Sequence, residues 1–432
     1  CQLIIALDCG IRALNMADLS KKKGIDLIIC DHHIPGSILP KAYAVLDPKR
    51  KDCRYPFKEL SGCGVGFKLL QGFCLQHTLD LGSLFKYLDL VAVSIASDIV
   101  PMVGENRILA YFGMQKINSQ PLKSIQALID IAGIKAPISI SDVVFYVGPR
   151  INAAGRLRHA HESVDLLVSE DPVQLKDFAQ RLNEVNKMRQ NIDQTITEEA
   201  LRTIHEELPD TAKSTVLFNP KWHKGIVGIV ASRCIEHYFR PTIILTESNG
   251  VATGSARSVE GFDIHAAMDK CADLLLQYGG HAFAAGMSLA LNKVDLFKER
   301  FEEIVKNTIP PDSEVPKLIV DAQIPLDFIH FKNFNILNQM TPFGPQNMQP
   351  VFVTEHVRLV GHPKLIKEKH LKLQVKQGDT DSPIEAIAFG LGGLQAGILA
   401  AESFRIAYHI DLNEFRGKKR LQLIVKDIKF YN

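Results

Sequence analysis

At 432 residues the chain is too long for a single hydrophobic core and implies two or three domains. A composition 46% hydrophobic and 23% charged excludes disorder, and a net charge of +2 excludes a strongly polycationic binder, so any nucleic-acid affinity must come from local patches. The eight cysteines have no C-x-x-C or zinc-ligand spacing, which points to reduced core thiols and a cytoplasmic protein, and neither a membrane span nor a secretory signal is readable.

The apolar run Leu3–Leu7 ends in Asp8-Cys9-Gly10, and a second run at 25–30 ends in Asp31-His32-His33, followed by Ile34-Pro35-Gly36. Buried parallel strands read this way when they carry ligands at their carboxyl ends. Residues 11–23 are long enough for a crossover helix, so a βαβ unit is expected. Asp and His together at strand tips suit a borderline divalent metal such as Mn²⁺ or Zn²⁺. An isolated Asp-His-His reads more simply as a turn cap with two solvated histidines; Asp8 on the neighbouring strand favours the metal. Val45-Leu46-Asp47-Pro48 follows, then a helix over 63–77. An apolar run at 88–96, helix or strand, then delivers Asp98 beside a chain reversal. Asp8, His32 and Asp98 are thus candidate metal ligands, with Asp31 and His33 as supporting or substrate-facing groups. Two carboxylates and one imidazole serve one ion well and a second poorly.

Residues 149–156, Pro-Arg-Ile-Asn-Ala-Ala-Gly-Arg, read as a loop in which Arg150, Asn152 and Arg156 approach an anion without bulk between the guanidinium forks. Asp171-Pro172 reads as a helix cap followed by proline in the first turn. The helix it opens, some 30 residues long, has Leu175, Phe178, Leu182, Val185, Ile192 and Ile196 on one face and Arg189 in the gap. So thin a stripe suits a connection between domains, and it is too interrupted for a coiled-coil dimer. A strand at 216–218, a helix at 226–237 and a strand at 242–245 resume the α/β pattern. Gly254-Ser255-Ala256-Arg257-Ser258 reads as a second anion loop. Residues 279–286 read as a third, offering His281 and the amides of a helix start. After Pro310-Pro311, short apolar runs at 318–320, 351–353, 371–375, 384–389, 404–410 and 421–425 suggest a small β-barrel. It carries two basic runs, Arg358, Lys364, Lys367, Lys369, Lys372 and Lys376, then Arg416, Lys418, Lys419 and Arg420. These bring nucleic-acid binding level with the simpler reading, a solvated face.

Taken in order, Asp8-Cys9-Gly10, Asp31-His32-His33, Asp98, the 149–156 string and the two glycine-rich segments resemble the DHH phosphoesterase superfamily. The long helix and terminal barrel narrow this to its bacterial single-stranded-DNA exonuclease branch, the RecJ family, over essentially the whole chain. The resemblance implies an α/β fold: a DHH domain with a parallel sheet (1–168), a connecting helix (169–205), a smaller α/β DHH-associated domain (206–310) and an OB-fold (311–432). It implies 5′-to-3′ degradation of single-stranded DNA in repair and recombination, by phosphodiester hydrolysis with two Mn²⁺ (or Mg²⁺) ions in the intact protein. Asp8 would then bridge the ions, His32 and Asp98 would ligate one of them, and His33 would face the scissile phosphate. Arg150 and Arg156 would contact the backbone, and Ser255, Arg257 and His281 would hold phosphates. The expected protein is a monomer off the membrane, with single-strand-binding protein and a RecQ-type helicase as partners.

The family's first motif, an Asp-x-Asp cluster, should precede Asp8 by several dozen residues, and only seven residues precede it here. An N-terminally truncated chain with weakened metal binding and little nuclease activity is therefore expected. Two rivals stand beside this reading. A phosphodiesterase for short oligonucleotides or cyclic dinucleotides would not need the long helix or the basic barrel. A non-catalytic DNA-binding scaffold on a decayed DHH domain is opposed by the intact Asp8, His32, His33 and Asp98.

Overall fold

The alternating N-terminal runs fold as a βαβ unit in the computed structural model, which describes residues 1–313, 315–378, 382–415 and 417–431. Strands β1 (Leu3–Leu7) and β2 (Asp26–Cys30) pair in parallel across helix α1 (Leu14–Lys22), with Leu3 opposite Asp26 and Leu7 opposite Cys30. Strand β3 (Ala44–Leu46) adds to the other edge of β2, also in parallel. Each of the three strands is followed by an aspartate, Asp8, Asp31 or Asp47, so three carboxylates gather at the carboxyl edge of one sheet. Ile29 and Cys30 are fully buried, whereas Leu3, Ile4, Ile5 and Leu7 on the edge strand are exposed.

Helix α2 (Gly62–Gln76), capped by the Ser61 hydroxyl, and helix α3 (Leu88–Asp98) bury Val65, Phe67, Val91 and Ile95 with Cys30. The run at 88–96 is helical and apolar on nearly every side because Val91, Ala92, Val93, Ile95 and Ala96 are all buried. It stops where Ile99 turns left-handed, at φ 56°. Helix α4 (Gly104–Ser119) then returns against α3 at Gly113, where an added Cβ would lie 2.3 Å from the Leu88 carbonyl oxygen and 2.5 Å from the Ala92 Cβ. With the barrel described below, these elements form one compact unit (Cys1–Leu122, Ala136–Val144 and Leu318–Asn432); Lys123–Lys135 and Phe145–Lys317 form the other.

In the second unit, helices α5 (Lys123–Ala132), α6 (Gly148–Leu157) and α7 (His161–Val168) pack on the 36-residue helix α8 (Pro172–Glu207). Asp171 caps α8 as its type predicts, accepting from the Val173 N–H at 2.9 Å. The thin apolar stripe sustains so long a helix because buried Asn183, Asn186, Asp193 and Thr197 fill the gaps between its members. Beyond it lie β4 (Thr215–Phe218), α9 (Val227–Tyr238), β5 (Thr242–Ser248), β6 (Val251–Arg257), β7 (Leu275–His281), β8 (Ala284–Leu289) and α10 (Val294–Thr308). The strands form one sheet in the order β4-β5-β6-β8-β7, parallel only between β4 and β5. Phe297 and Phe301 of α10 fill its core with Ile243, Leu245 and Met287.

Three expected loops take regular structure instead. Residues 149–156 lie within α6, where Pro149 sits in the first turn, a position that needs no N–H, and Ala153 and Ala154 are buried. Residues 254–257 lie in β6, flanked by β5 and β8, so their amides belong to a strand paired on both edges rather than to an anion-binding arc. Residues 279–286 form the β7–β8 hairpin, and no helix starts after His281; an added Cβ on Gly280 would meet the Ala284 carbonyl oxygen at 2.3 Å, so the tight pairing excludes a side chain there.

The C-terminal strands are β9 (Ala322–Gln323), β10 (Phe352–Leu359), β11 (Lys364–Ile366), β12 (His370–Gln377), β13 (Ile384–Ala388), β14 (Phe404–Phe415) and β15 (Lys418–Phe430). Their order is β11-β12-β13-β15-β14-β10-β9, and a further β12–β10 pairing closes the sheet into a barrel around Val357, Leu373, Phe404 and Tyr408. The expected strand at 318–320 does not form: those residues are exposed, and pairing to β10 begins only at Ala322. Arg416 lies outside the described residues. Gly113→Ala should cost about 1–3 kcal/mol through overpacking at the α3–α4 crossing, read as a lower thermal midpoint for the first unit; an unchanged midpoint would contradict so close an approach.

Candidate metal centre and anion site

Asp8 leaves β1 at φ 63°, a left-handed conformation uncommon for a residue with a side chain, while its own N–H still reaches the Cys30 carbonyl at 2.9 Å. Its carboxylate meets His32 from the tip of β2 and Asp98 from the last turn of α3. The His32 Nε2 lies 3.1 Å from Asp8 Oδ1 and 3.3 Å from Asp98 Oδ2. His32 is buried, and neither of its ring nitrogens has a partner in hydrogen-bonding geometry. One nitrogen and two carboxylate oxygens converging without completed hydrogen bonds form a donor set that suits a divalent cation. The three residues expected as ligands are thus brought together. His33 stands beside them: donor atoms of Asp8, His32 and His33 lie within 4.8 Å of one another.

Asp31 does not join this set. It is fully buried and accepts from the backbone N–H groups of Ile11 (2.9 Å), His32 (2.8 Å) and His33 (3.3 Å), with His33 Nδ1 at 2.7 Å. Burial would push its carboxyl up, but the His33 contact and the three N–H donors outweigh it and hold Asp31 below the usual carboxylate range. Asp31 therefore fixes the loop that presents both histidines and leaves the other nitrogen of the half-exposed His33 ring for an outside group. Burial would likewise lower the His32 pKa, yet Asp8 and Asp98 outweigh it and the net direction is up. Burial raises the Asp98 carboxyl, His32 opposes this and Asp8 adds to it, leaving it above the usual range.

Two neighbours carry no strong local signal. Gly62 opens α2 against Asp8, and an added Cβ would fall 2.1 Å from Asp8 Oδ1, so only glycine leaves room for that carboxylate. Asp47 is buried behind the site with Oδ1 on the Lys49 N–H at 2.8 Å and Oδ2 unpaired, and burial raises its pKa. The available hint for Asp47 is that it ends a third strand as Asp8 and Asp31 end the first two.

The second unit holds the other candidates. Arg150 is engaged in the fold, donating from Nε to Asn183 Oδ1 at 3.1 Å and from Nη1 to the Tyr146 carbonyl at 2.7 Å. Asn152 and Arg156 are exposed on α6, and Arg156 Nη1 donates to the Gly225 carbonyl at 3.2 Å. Just after Gly225, at the start of α9, an added Cβ on Gly228 would lie 3.0 Å from Arg257 Nη2 and 3.1 Å from Ser255 Oγ. Arg156, Ser255 and Arg257 thus gather at the amino end of a 12-residue helix, whose first N–H groups favour an anion. Burial, then the nearby Arg156 charge, lowers the Arg257 pKa. Arg257 and His281 both stand opposite Ala284 in the sheet, on one face and about 10 Å apart across that small residue. The glycines at 225 and 228 flanking a helix start were the readable sign of this site. On the barrel, Lys367 and Lys369 are exposed, whereas Lys372 pairs with Glu385 at 2.6 Å.

Three family models match: the N-terminal domain of the DHH family at 2–95, the DHHA1 domain at 211–307 and the RecJ OB domain at 320–427. The chain is 36% identical over 431 residues to the single-stranded-DNA-specific exonuclease RecJ of Bacillus subtilis, covering 98% of this chain and 53% of that protein. It is 34% identical to the protein of the same name in Escherichia coli, covering 99% of this chain and 77% of the other. The crystal structure of RecJ with Mn²⁺ from Thermus thermophilus superposes with a TM-score of 0.87 at 26% identity, over 100% of this chain and 62% of that one. The chain therefore spans about half the length of its Bacillus relative.

Gly62→Ala should displace the Asp8 carboxylate and weaken Mn²⁺ binding by about 10- to 100-fold, the range for groups that orient ligands. Calorimetry reads this, and unchanged affinity would contradict the contact. Because imidazole must be neutral to bind a metal and the His32 pKa is raised, Mn²⁺ affinity should begin to fall while the pH is still above about 6.5 and keep falling below it. Constant affinity from about pH 8 to 6 would contradict the proximity of Asp8 and Asp98 to His32.

Proposed function

The chain belongs to the RecJ family of DHH phosphoesterases, and from that premise we propose that its residues serve the hydrolysis of single-stranded DNA from the 5′ end during repair and recombination. The observation that carries this reading is the buried His32 Nε2 held between the carboxylates of Asp8 and Asp98. These three residues would hold one Mn²⁺ or Mg²⁺, and Asp8, the most exposed of them, is the residue to bridge to a second ion. Such ions supply a water of lowered pKa and neutralise charge on the phosphate oxygens.

The remaining residues hold and orient the substrate. Asp31 grips His33 through Nδ1, and the other ring nitrogen faces the scissile phosphate. Arg156, Ser255, Arg257 and the first amides of α9 take a strand-end phosphate, with His281 on the same sheet face; Asn152 contacts the backbone and Arg150 braces α6. The exposed lysines of the barrel, Lys367, Lys369, Lys418 and Lys419, bind the sugar-phosphate chain through charge, so affinity falls with salt. The protein acts as a cytoplasmic monomer, with single-strand-binding protein and a RecQ-type helicase as the partners this activity calls for. Among the described residues no helix is long and apolar enough to cross a membrane.

End-labelled strands incubated with Mn²⁺ test the reading: loss from the 5′ end is expected, and degradation of a strand whose 5′ end is blocked in a duplex would contradict it. His32→Ala and Asp98→Ala in the full-length protein should abolish turnover and leave single-stranded DNA affinity within about twofold, because phosphate contacts rather than metal ligands carry binding. Equal loss of binding and cleavage would show that these residues serve the fold alone.

A further inference from the structure

We propose that the cavity beside the end of β3 is a binding site for a small apolar monocation, a molecule with a hydrocarbon body and one protonated nitrogen group, and that its occupation is felt at the metal centre. The binding site stands apart from the proposed chemistry; its coupling to Mn²⁺ rests on the reading of Asp8, His32 and Asp98 as ligands.

The cavity, about 260 Å³ in volume, is walled by Leu46 and Pro48 at the end of β3 and by Leu60 and Val65 at the entry into α2. Most of the polar side chains that line it are already paired. Arg50 holds Asp52 with Nε at 3.0 Å and Nη2 at 2.5 Å, and donates from Nη1 to the Val45 carbonyl. Lys68 Nζ and the Tyr55 hydroxyl divide the two oxygens of Glu105, at 3.0 and 2.6 Å. Asp47 differs. It is 2% exposed, its Oδ1 takes the Lys49 N–H at 2.8 Å, and its Oδ2 is buried without a donor. An acceptor left so costs free energy that a donor would recover. The terminal torsion of an aspartate is soft, which lets that oxygen meet a donor from the cavity side.

Charge points the same way. Arg50 cancels against Asp52 and Lys68 against Glu105, so Asp47 leaves one negative charge among apolar walls. A cation pairs with that charge, and an apolar body covers the walls. Asp47 also lies close to the strand tips of the metal centre. Leu46 stands opposite Cys30, and its carbonyl accepts the Asp31 N–H at 2.9 Å, beside the turn that presents His32. The Asp47 charge thus favours a divalent ion at His32, and a cation paired with Asp47 disfavours it.

Benzamidine, a flat apolar monocation, is the probe, and benzoate is its anionic counterpart. Binding to the chain is followed by ligand-detected NMR titration and located by alkylation of Cys53, a free thiol on the cavity wall. Benzamidine should bind with a dissociation constant of about 1 mM, ordinary for so few atoms, and benzoate about tenfold more weakly or worse. Benzamidine should slow alkylation of Cys53 and leave the exposed Cys1 and Cys9 unaffected. Asp47→Asn, with its thermal midpoint recorded, should lose about tenfold in benzamidine affinity, as expected for one charge-assisted hydrogen bond. Cys53→Phe, which fills the cavity from its wall, should abolish binding even if Asp47→Asn folds poorly. Saturating benzamidine should weaken Mn²⁺ binding by about fivefold, and Mn²⁺ should weaken benzamidine binding by the same factor, as linkage requires. Equal binding of benzamidine and benzoate, or alkylation of Cys53 at an unchanged rate, would overturn the site. Unchanged Mn²⁺ affinity would overturn the coupling. If the chain binds no Mn²⁺ at all, the metal centre itself fails, and the cavity site is decided by the benzamidine titration alone.

Discussion

A single imidazole nitrogen sets the terms for the first unit. His32 Nε2 lies within 3.3 Å of two carboxylates that come from elements far apart in sequence, Asp8 at the end of β1 and Asp98 at the end of α3. Gathering two carboxylates around one buried ring is unfavourable without a cation or a proton to join them. The surroundings accept that cost. Asp8 takes a left-handed backbone, Gly62 gives up its side chain, and Asp31 uses three backbone N–H groups to keep the His32–His33 turn in place. The close α3–α4 crossing at Gly113 braces the helix that delivers Asp98.

Asp31 and Asp193 show the same device in different units. Each is a fully buried carboxylate in contact with a half-exposed basic side chain: Asp31 with His33, Asp193 with Arg233. Their surroundings differ in kind: backbone N–H donors surround Asp31 and hold its pKa down, whereas Asp193 lies against the Arg233 guanidinium.

Much of this was legible in the residues because strand ends announce themselves. An apolar run that stops at an aspartate, twice within 25 residues, leaves few alternatives to parallel strands with a site at their tips, and Asp171-Pro172 marks a helix start without help from tertiary structure. The anion segments misled for a physical reason. Glycine and small residues signal close approach, but the approach is of strand to strand, at Gly254 and at Gly280, rather than of a loop to an anion. The change of setting leaves Ser255, Arg257 and His281 on paired strands rather than on loops. Gly62, Asp47 and Asp193 stayed hidden because each matters only through a partner distant in sequence, which no local period records.

The most direct measurement is the anomalous scattering from a crystal of this chain grown with Mn²⁺. The predicted result is a peak bonded to His32 Nε2 and to carboxylate oxygens of Asp8 and Asp98, at distances of about 2.0–2.2 Å as for comparable divalent ions. A crystal in which those three side chains keep their places and the only Mn²⁺ peaks lie elsewhere would contradict the metal centre on which the proposed chemistry depends.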